Sequence, residues 1–531
     1  MTREKKTDLI HIAVIALAFV AVYILLFKSW LDENGDNAAY MELARNLAAF
    51  KGYATEGPGG VWTPASHFPP GYPFFLSLFM LLGIDNLMFF KILNGVLMFS
   101  SVVLLYFVGC RVSGSRALAF SVGILTAVNP FVIRFANIVM SEMLFMFLIA
   151  LVLHALVKQE DSPRRFGPWF WTAALAAAYA YYVRAVGAAL VFGVLVWYLT
   201  RKDWKRAALS TGVSVAAVLP WTIRNRICGV GRSYIAPILA KNPWRPELGQ
   251  ISSVQEFADK VWVNFNDTAL KGFRVILFPN WTGYAEKVTA SVVVIGLILV
   301  VMVLYGLYKT GPLRFTLPAI MLANMAFLLV WNGQNDIRYV TPFIPLVFFG
   351  FWNCVYQIAC RLWKKVRRKP LRFLPYAVAL CALMCIPVCK KTRANLDAGI
   401  NERVRNYYDS AIYLNSKLSV SNKPVVACRK PNIFKYYAPK AIAVSYPFVG
   451  PDEFLDFVLD QNVEYLIYDI LGYNSTSYYL YPFYNRYKMI FDEVRQFGND
   501  ETKVTYILHV NRVSAMYMKH YNSANKNQTS K

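Results

Sequence analysis

Charge is what this chain is short of. Only 16% of its 531 residues are Asp, Glu, Lys or Arg, while 56% are hydrophobic and 16% aromatic. A soluble domain carries roughly 25% charged residues. The shortfall excludes one large soluble fold, because apolar runs of about 20 residues recur, each long enough to cross a bilayer. Acids are scarcer than bases, 31 against 56, leaving a formal charge of +25. In a membrane chain that excess belongs to loops facing the cytoplasm and anionic lipid, so nucleic acid is not among the expected partners. Glycine fingerprints for nucleotides are missing too: there is neither a GxxxxGK[ST] nor a GxGxxG after a strand.

Cysteine is sparse, eight in all, and Cys110, Cys354, Cys360, Cys381, Cys385 and Cys389 fall within or beside apolar segments. The last three recur every four residues and read as soft packing groups on one helical face. Cys228 and Cys428 lie in outside segments, and the sequence does not say whether they pair.

What is there is a polytopic α-helical membrane protein of about 11 transmembrane helices with a C-terminal extracytoplasmic α/β domain. The expected spans are 9–27, 87–109, 116–133, 141–157, 168–182, 185–200, 206–222, 288–308, 313–331, 340–360 and 373–389, with 74–84 a shorter interfacial or re-entrant piece. The first, following TREKKTD, reads as a retained span with its N-terminus inside. That orientation places RKDWKR (201–206) and RLWKKVRRKPLR (361–372) inside, the latter with seven Lys or Arg and no acid, as the positive-inside rule requires. The domains follow: a membrane domain over 1–389 with outside loops 28–86 and 223–287, an α/β domain over 390–520, and a disordered tail over 521–531. In the α/β domain KPVVACRKP, KAIAVSY and VEYLIYDIL read as buried strands, alternating with helices at RVRNYYDSAIYLNSKL and PDEFLDFVLDQN.

Cations at the outer surface run against the charge bias and are therefore informative. Arg224, Arg226 and Arg232 cluster in PWTIRNRICGVGRS, Arg184 sits in AYYVRAVGA, and Arg338 in NGQNDIRYVTPFIP. One arginine there can simply snorkel to headgroups. Several on one face suit an anion, because guanidinium forks grip phosphate oxygens. Two acids stand out. Asp36 follows the first span in NGDNAAYMELARN, on one helical face with Tyr40, and could equally cap the helix over 37–50. Glu142 opens the fourth span in NIVMSEMLF. In HFPPGYP, Pro69 and Pro70 stiffen the chain, Gly71 permits a sharp turn, and His67 is a loop histidine that could act as a base.

These pieces, an outside acid with a tyrosine four residues on, PPGYP, the SE at 141–142, PWTIRN at 220–225 and RYVTPFIP at 338–345, resemble the type C integral-membrane glycosyltransferases over nearly the whole chain. The likeness is to the family 39-like and 83-like members, which include protein O-mannosyltransferases and the lipid A aminoarabinose transferase. It implies a sugar transfer from a polyprenyl-phosphate donor to a lipid, glycan or protein acceptor on the outer face of the membrane. Asp36 would match the family's first-loop acid as catalytic base, Glu142 its second acid, and Arg338 with Tyr339 the Arg-Tyr near the donor phosphate. Arg224, Arg226 and Arg184 would join that phosphate clamp, with Tyr40, His67, Pro69 and Pro70 positioning. No cofactor is certain; a divalent metal ion between Asp36 and Glu142 is the one to test. The chain departs from the family where Asn37 follows Asp36 in place of a second acid, and where Phe68 precedes the paired prolines in place of lysine. The rival is a lipid-linked-sugar flippase or transporter, which would show charges deep within spans; Arg134 and Lys91 are the main ones here. The sequons at Asn266, Asn280 and Asn474 matter only in a eukaryotic secretory compartment; a bacterial plasma membrane is the expected location.

Overall fold

The computed structural model describes residues 2–162, 164–230, 238–242, 245–279, 288–331, 337–366, 374–419 and 423–529, so Arg232 and Asn280 lie outside the described residues. It divides into two compact units, one of Met1–Ser29, Ser66–Leu239 and Ile251–Asp397, the other of Trp30–Ala65, Ala240–Gln250 and Ala398–Lys531.

The first unit is helical. Among the described residues five helices are long and apolar enough to cross a membrane: Arg3–Leu25, Leu87–Ser113, Glu142–Glu160, Ala290–Tyr308 and Thr341–Lys364. The stretch expected as one span over 116–133 is instead two helices, Arg116–Ala127 and Pro130–Ala136, bent by 60°. The cause is local. Pro130 has no N–H to continue the ladder, and buried Asn129 caps the second helix by accepting from the amides of Phe131 (3.0 Å) and Val132 (3.2 Å). Other apolar stretches are helical but shorter or more polar, at Pro168–Val183, Ala188–Leu199, Trp204–Ile227 and Thr316–Val330. The stretch expected over 373–389 is broken into Leu374–Ala379, a 3-10 segment Leu380–Cys385 and Ile386–Asp397.

Small residues set the closest approaches, as they do between membrane helices. A side chain at Gly306 would collide with the backbone of Gly350 on the neighbouring helix. Asn353 Nδ2 donates to Gly306 O at 2.7 Å across the same contact. Gly71 is needed for a related reason: its φ is not positive, but a Cβ there would sit 2.6 Å from the carbonyl carbon of Tyr182. Close backbone approach, not a sharp turn, is therefore what glycine supplies in HFPPGYP. Lys91, 1% exposed, donates to Lys28 O at 2.6 Å.

The second unit is built on a five-stranded sheet. After a small hairpin of β1 (Ala54–Glu56) and β2 (Trp62–Pro64), the chain forms β3 (Val425–Cys428), β4 (Ile442–Ser445), β5 (Val463–Asp469), β6 (Phe491–Phe497) and β7 (Thr505–Val510) in the order β4-β3-β5-β7-β6. β3 pairs in parallel with both β4 and β5, while β7 runs antiparallel to β5 and β6. All four residues of β3 are buried, as a continuous apolar run in a central parallel strand should be. The helices Glu402–Lys417, Pro431–Tyr437, Pro451–Asp460, Tyr481–Arg486 and Arg512–Thr529 belong to the same unit, the last running into the stretch that composition reads as a tail. Phe454 and Phe483 stack face to face, centroids 4.0 Å apart, within a core that includes Val425, Leu466 and Leu508.

The same unit contains the helix Asp36–Ala48 from the loop after the first span. It packs on Pro431–Tyr437, with Lys435 Nζ 2.7 Å from Glu42 Oε1. Lys423 Nζ lies 2.8 Å from Glu56 Oε2.

Candidate functional site

Four of the residues singled out from the sequence meet in the first unit. Glu142 opens its helix fully buried. Its Oε1 accepts from Arg184 Nη1 and from Arg338 Nε, both at 2.6 Å. Arg184 Nη1 also donates to Ser141 Oγ at 3.1 Å, and its guanidinium stands 5.9 Å from the ring centre of Tyr339.

Local chain geometry delivers each group. Arg184 is the extended residue (φ −151, ψ 135) between the helix Pro168–Val183 and a one-turn 3-10 helix, Ala185–Gly187. A Cβ on Gly187 would strike the backbone of Ala180, so that tight break requires glycine. Arg338 and Tyr339 lie in the single turn Ile337–Tyr339, followed by Thr341–Phe343. Phe343 packs edge-on against Phe145, centroids 5.9 Å apart, tying that turn to the Glu142 helix.

Two guanidiniums share one carboxylate oxygen in a poorly solvated place. The arginine side chains are 12% and 16% exposed, the Glu142 side chain 0%. Desolvating such groups is expensive, and a cluster of this kind is retained where it binds or orients something. Glu142 Oε2 is buried and has no hydrogen-bond partner among the described residues. The site thus holds one buried acceptor beside two cations.

The remaining candidates make other contacts. Arg224 and Arg226 occupy the last turn of Trp204–Ile227, where cations meet the negative end of the helix dipole. Arg224 Nη1 donates to Asn225 Oδ1 at 2.8 Å and lies over the Trp221 ring at 5.0 Å; Arg226 is exposed. His67 is exposed, edge-on to Phe68 at 4.5 Å, and Pro70 caps the helix Gly71–Met80, with Pro69 before it.

In the second unit, Asp36 is half-buried and is the first residue of its helix; Gly35, in the left-handed region (φ 90), is the cap. Tyr40, one turn on, is 3% exposed. Among the described residues no three His, Cys, Asp or Glu side chains come together as a metal-binding group. All eight cysteines are free thiols, Cys228 exposed and Cys428 buried.

The sequence reading passed over two groups at the carboxyl end of the sheet. Asp469 ends β5 fully buried; burial pushes its carboxyl up to about 7, and Arg429 and Lys430 pull against that shift. Oδ1 accepts from the Leu471 amide at 3.2 Å, while Oδ2 has no hydrogen-bond partner among the described residues. Lys430, two residues after β3, is the second. The signal was present in KPVVACRKP, a cation pair directly after a buried strand, where open α/β sheets place their functional loops.

With the fold and this cluster in view, the chain is a multi-pass membrane protein with the fold of the type C membrane glycosyltransferases. Among solved structures it is similar to the archaeal oligosaccharyltransferase AglB from Archaeoglobus fulgidus in complex with an inhibitory peptide and a dolichol-phosphate. The TM-score is 0.60 at 14% identity, over 95% of this chain and 74% of that one. It is similar also to ArnT from Cupriavidus metallidurans in the apo state, with a TM-score of 0.57 at 14% identity over 96% of this chain and 99% of the other. For the same protein bound to undecaprenyl phosphate the TM-score is 0.55 at 13% identity, over 94% and 98%. No family model and no curated protein matches the sequence.

Proposed function

We propose that this protein is a glycosyltransferase that moves a sugar from a polyprenyl-phosphate donor to an acceptor at the outer face of the membrane, through about eleven spans with the N-terminus in the cytoplasm. The observation that carries the reading is the buried Glu142 held by Arg184 and Arg338 within this fold. The comparison structures support it, since AglB was solved with a dolichol-phosphate and ArnT with undecaprenyl phosphate.

In this mechanism the acceptor hydroxyl attacks the anomeric carbon and gives its proton to the Asp36 carboxylate. The new bond to the acceptor oxygen forms as the bond to the phosphate oxygen breaks, inverting that carbon and releasing polyprenyl phosphate. Arg338 and Arg184, with Arg224 and Arg226, stabilise the negative charge growing on the departing phosphate. Glu142 holds the first two guanidiniums in place, and Tyr339 flanks them. A phosphate leaving group needs no general acid.

The test is reconstitution with a panel of undecaprenyl-phosphate-linked sugars, with and without divalent metal, reading free undecaprenyl phosphate and donor binding in the same samples. Turnover of one donor that is lost in Asp36→Asn supports the reading and names the sugar. Binding without any turnover in the presence of acceptor lipids, glycans and peptides points to a flippase. If no lipid-phosphate sugar binds, the reading is wrong.

A further inference from the structure

We infer that Lys430 is a positioning residue for Asp36, holding from the sheet the turn out of which that carboxylate emerges; the inference rests on the reading of Asp36 as the base. The contacts lie within the second unit. Lys430 Nζ donates to Asn34 O at 3.2 Å. Its aliphatic stem covers Gly35: a Cβ built there would meet Lys430 Cδ at 3.8 Å and Ile433 at 3.9 Å. Gly35 has φ +90, so the turn is one that other residues enter only with strain.

Lys430 is itself well held. Its amide donates to Tyr407 Oη at 3.2 Å, and that hydroxyl donates back to Lys430 O at 3.1 Å. The ammonium sits 4.6 Å from the centre of the Tyr473 ring. Because it belongs to the loop after β3, its position is set by a buried strand and not by the flexible end of a surface chain.

The turn needs such a clamp for two reasons. Asp36 starts a helix whose cap, Gly35, provides no side-chain hydrogen bond, so local sequence alone does little to hold it. Asp32 adds local order: its Oδ1 accepts from the Asn34 amide at 3.1 Å and its carbonyl accepts from Asn37 Nδ2 at 3.0 Å. The second reason is electrostatic. Asp36, Glu33 and Asp32 all act on the Lys430 ammonium, as does Arg429 with opposite sign. Carboxylates so close in sequence repel one another, and a cation fixed beside the turn offsets that repulsion. A base displaced by an ångström loses much of its effect.

The experiment uses the full chain in nanodiscs and compares wild type with Lys430→Met, Lys430→Arg, Lys435→Met and Asp36→Asn. Amide exchange over residues 34–39 should rise about tenfold in Lys430→Met, as for the loss of one charge-assisted hydrogen bond, with exchange in β3 and β5 unchanged. Lys430→Arg should restore protection. Lys435→Met, which breaks the separate link to Glu42, should leave 34–39 protected. In release of free undecaprenyl phosphate from the undecaprenyl-phosphate-linked sugar that turns over, Lys430→Met should lower kcat about tenfold with KM within about twofold, again recovered by arginine. Unchanged exchange over 34–39 in Lys430→Met overturns the inference, as does a kcat equal to wild type alongside raised exchange. If Asp36→Asn turns over normally, the reading of Asp36 as base is what fails, and exchange still decides whether Lys430 holds the turn.

Discussion

Arg338 Nε and Glu142 Oε1 lie 2.6 Å apart although 196 residues separate them in the chain. The carboxylate is fully buried, and the same oxygen is shared with Arg184. A single buried acid therefore joins three segments: the start of one helix, the break after another and the turn before a third. Removing one partner from such a cluster exposes uncompensated charge and costs about 3–5 kcal/mol. Glu142→Ala should accordingly lower the unfolding temperature in micelles more than Arg338→Ala, because it removes the carboxylate that two guanidiniums share, whereas the arginine change leaves Glu142 paired with Arg184. In the double-mutant cycle the Glu142–Arg338 coupling should be on the order of 1–3 kcal/mol. Additive losses would show that the two side chains do not share an energetic link.

Charge alone is not what Arg338 provides. Its Nε is the atom on Glu142, one donor of a planar fork that carries five N–H groups. Lysine keeps the charge and loses that fork. Arg338→Lys should therefore reduce polyprenyl-phosphate release by about ten- to a hundredfold, the range for one hydrogen bond to a charged group. A lysine variant as active as wild type would reduce Arg338 to a point charge.

Helix packing in the first unit allows a paired test. Gly306 faces the Gly350 backbone, whereas a Cβ on Gly212 would meet nothing within 4 Å. Gly306→Ala should cost about 1–3 kcal/mol, because backbone cannot retreat as a side chain can. Gly212→Ala, inside the helix Trp204–Ile227, should gain about 0.5–1 kcal/mol from the reduced freedom of the unfolded chain. Thermal unfolding in micelles reads both; equal effects would deny the close contact.

Much of this was legible in the sequence where one strong signal acts locally. Apolar runs bounded by polar residues located β3, β4 and β5, and three of the residues in the Glu142 cluster stood out because charge at a membrane boundary is rare. Signals that cancel were harder to see. FDEVRQF alternates too weakly to announce β6, an edge strand most of whose residues are exposed. Asn129–Pro130 is a turn signal, but the apolar residues on both sides hid the 60° bend. The grouping of the first loop with the C-terminal sheet could not be read at all. It depends on pairs such as Lys435–Glu42, 393 residues apart, and neither residue looks unusual in its own segment.

Asp469 gives the second unit a pH dependence whose sign can be worked out. Its folded-state pKa is raised to about 7 by burial, against an ordinary aspartate value of about 3.9. Between those two values the folded chain holds a proton that the unfolded chain has released. Stability therefore falls as pH rises through that window and levels off above about 7. The full swing is on the order of 4 kcal/mol as an upper limit, at about 1.4 kcal/mol per unit. Asp469→Asn mimics the protonated form, so its stability should match wild type near pH 4 and exceed it near pH 7.5. Denaturant unfolding of the full chain in micelles across that range, followed by intrinsic fluorescence, measures the difference directly. Parallel curves for the two proteins would mean that Asp469 keeps its charge when folded, with Arg429 and Lys430 outweighing the cost of burial.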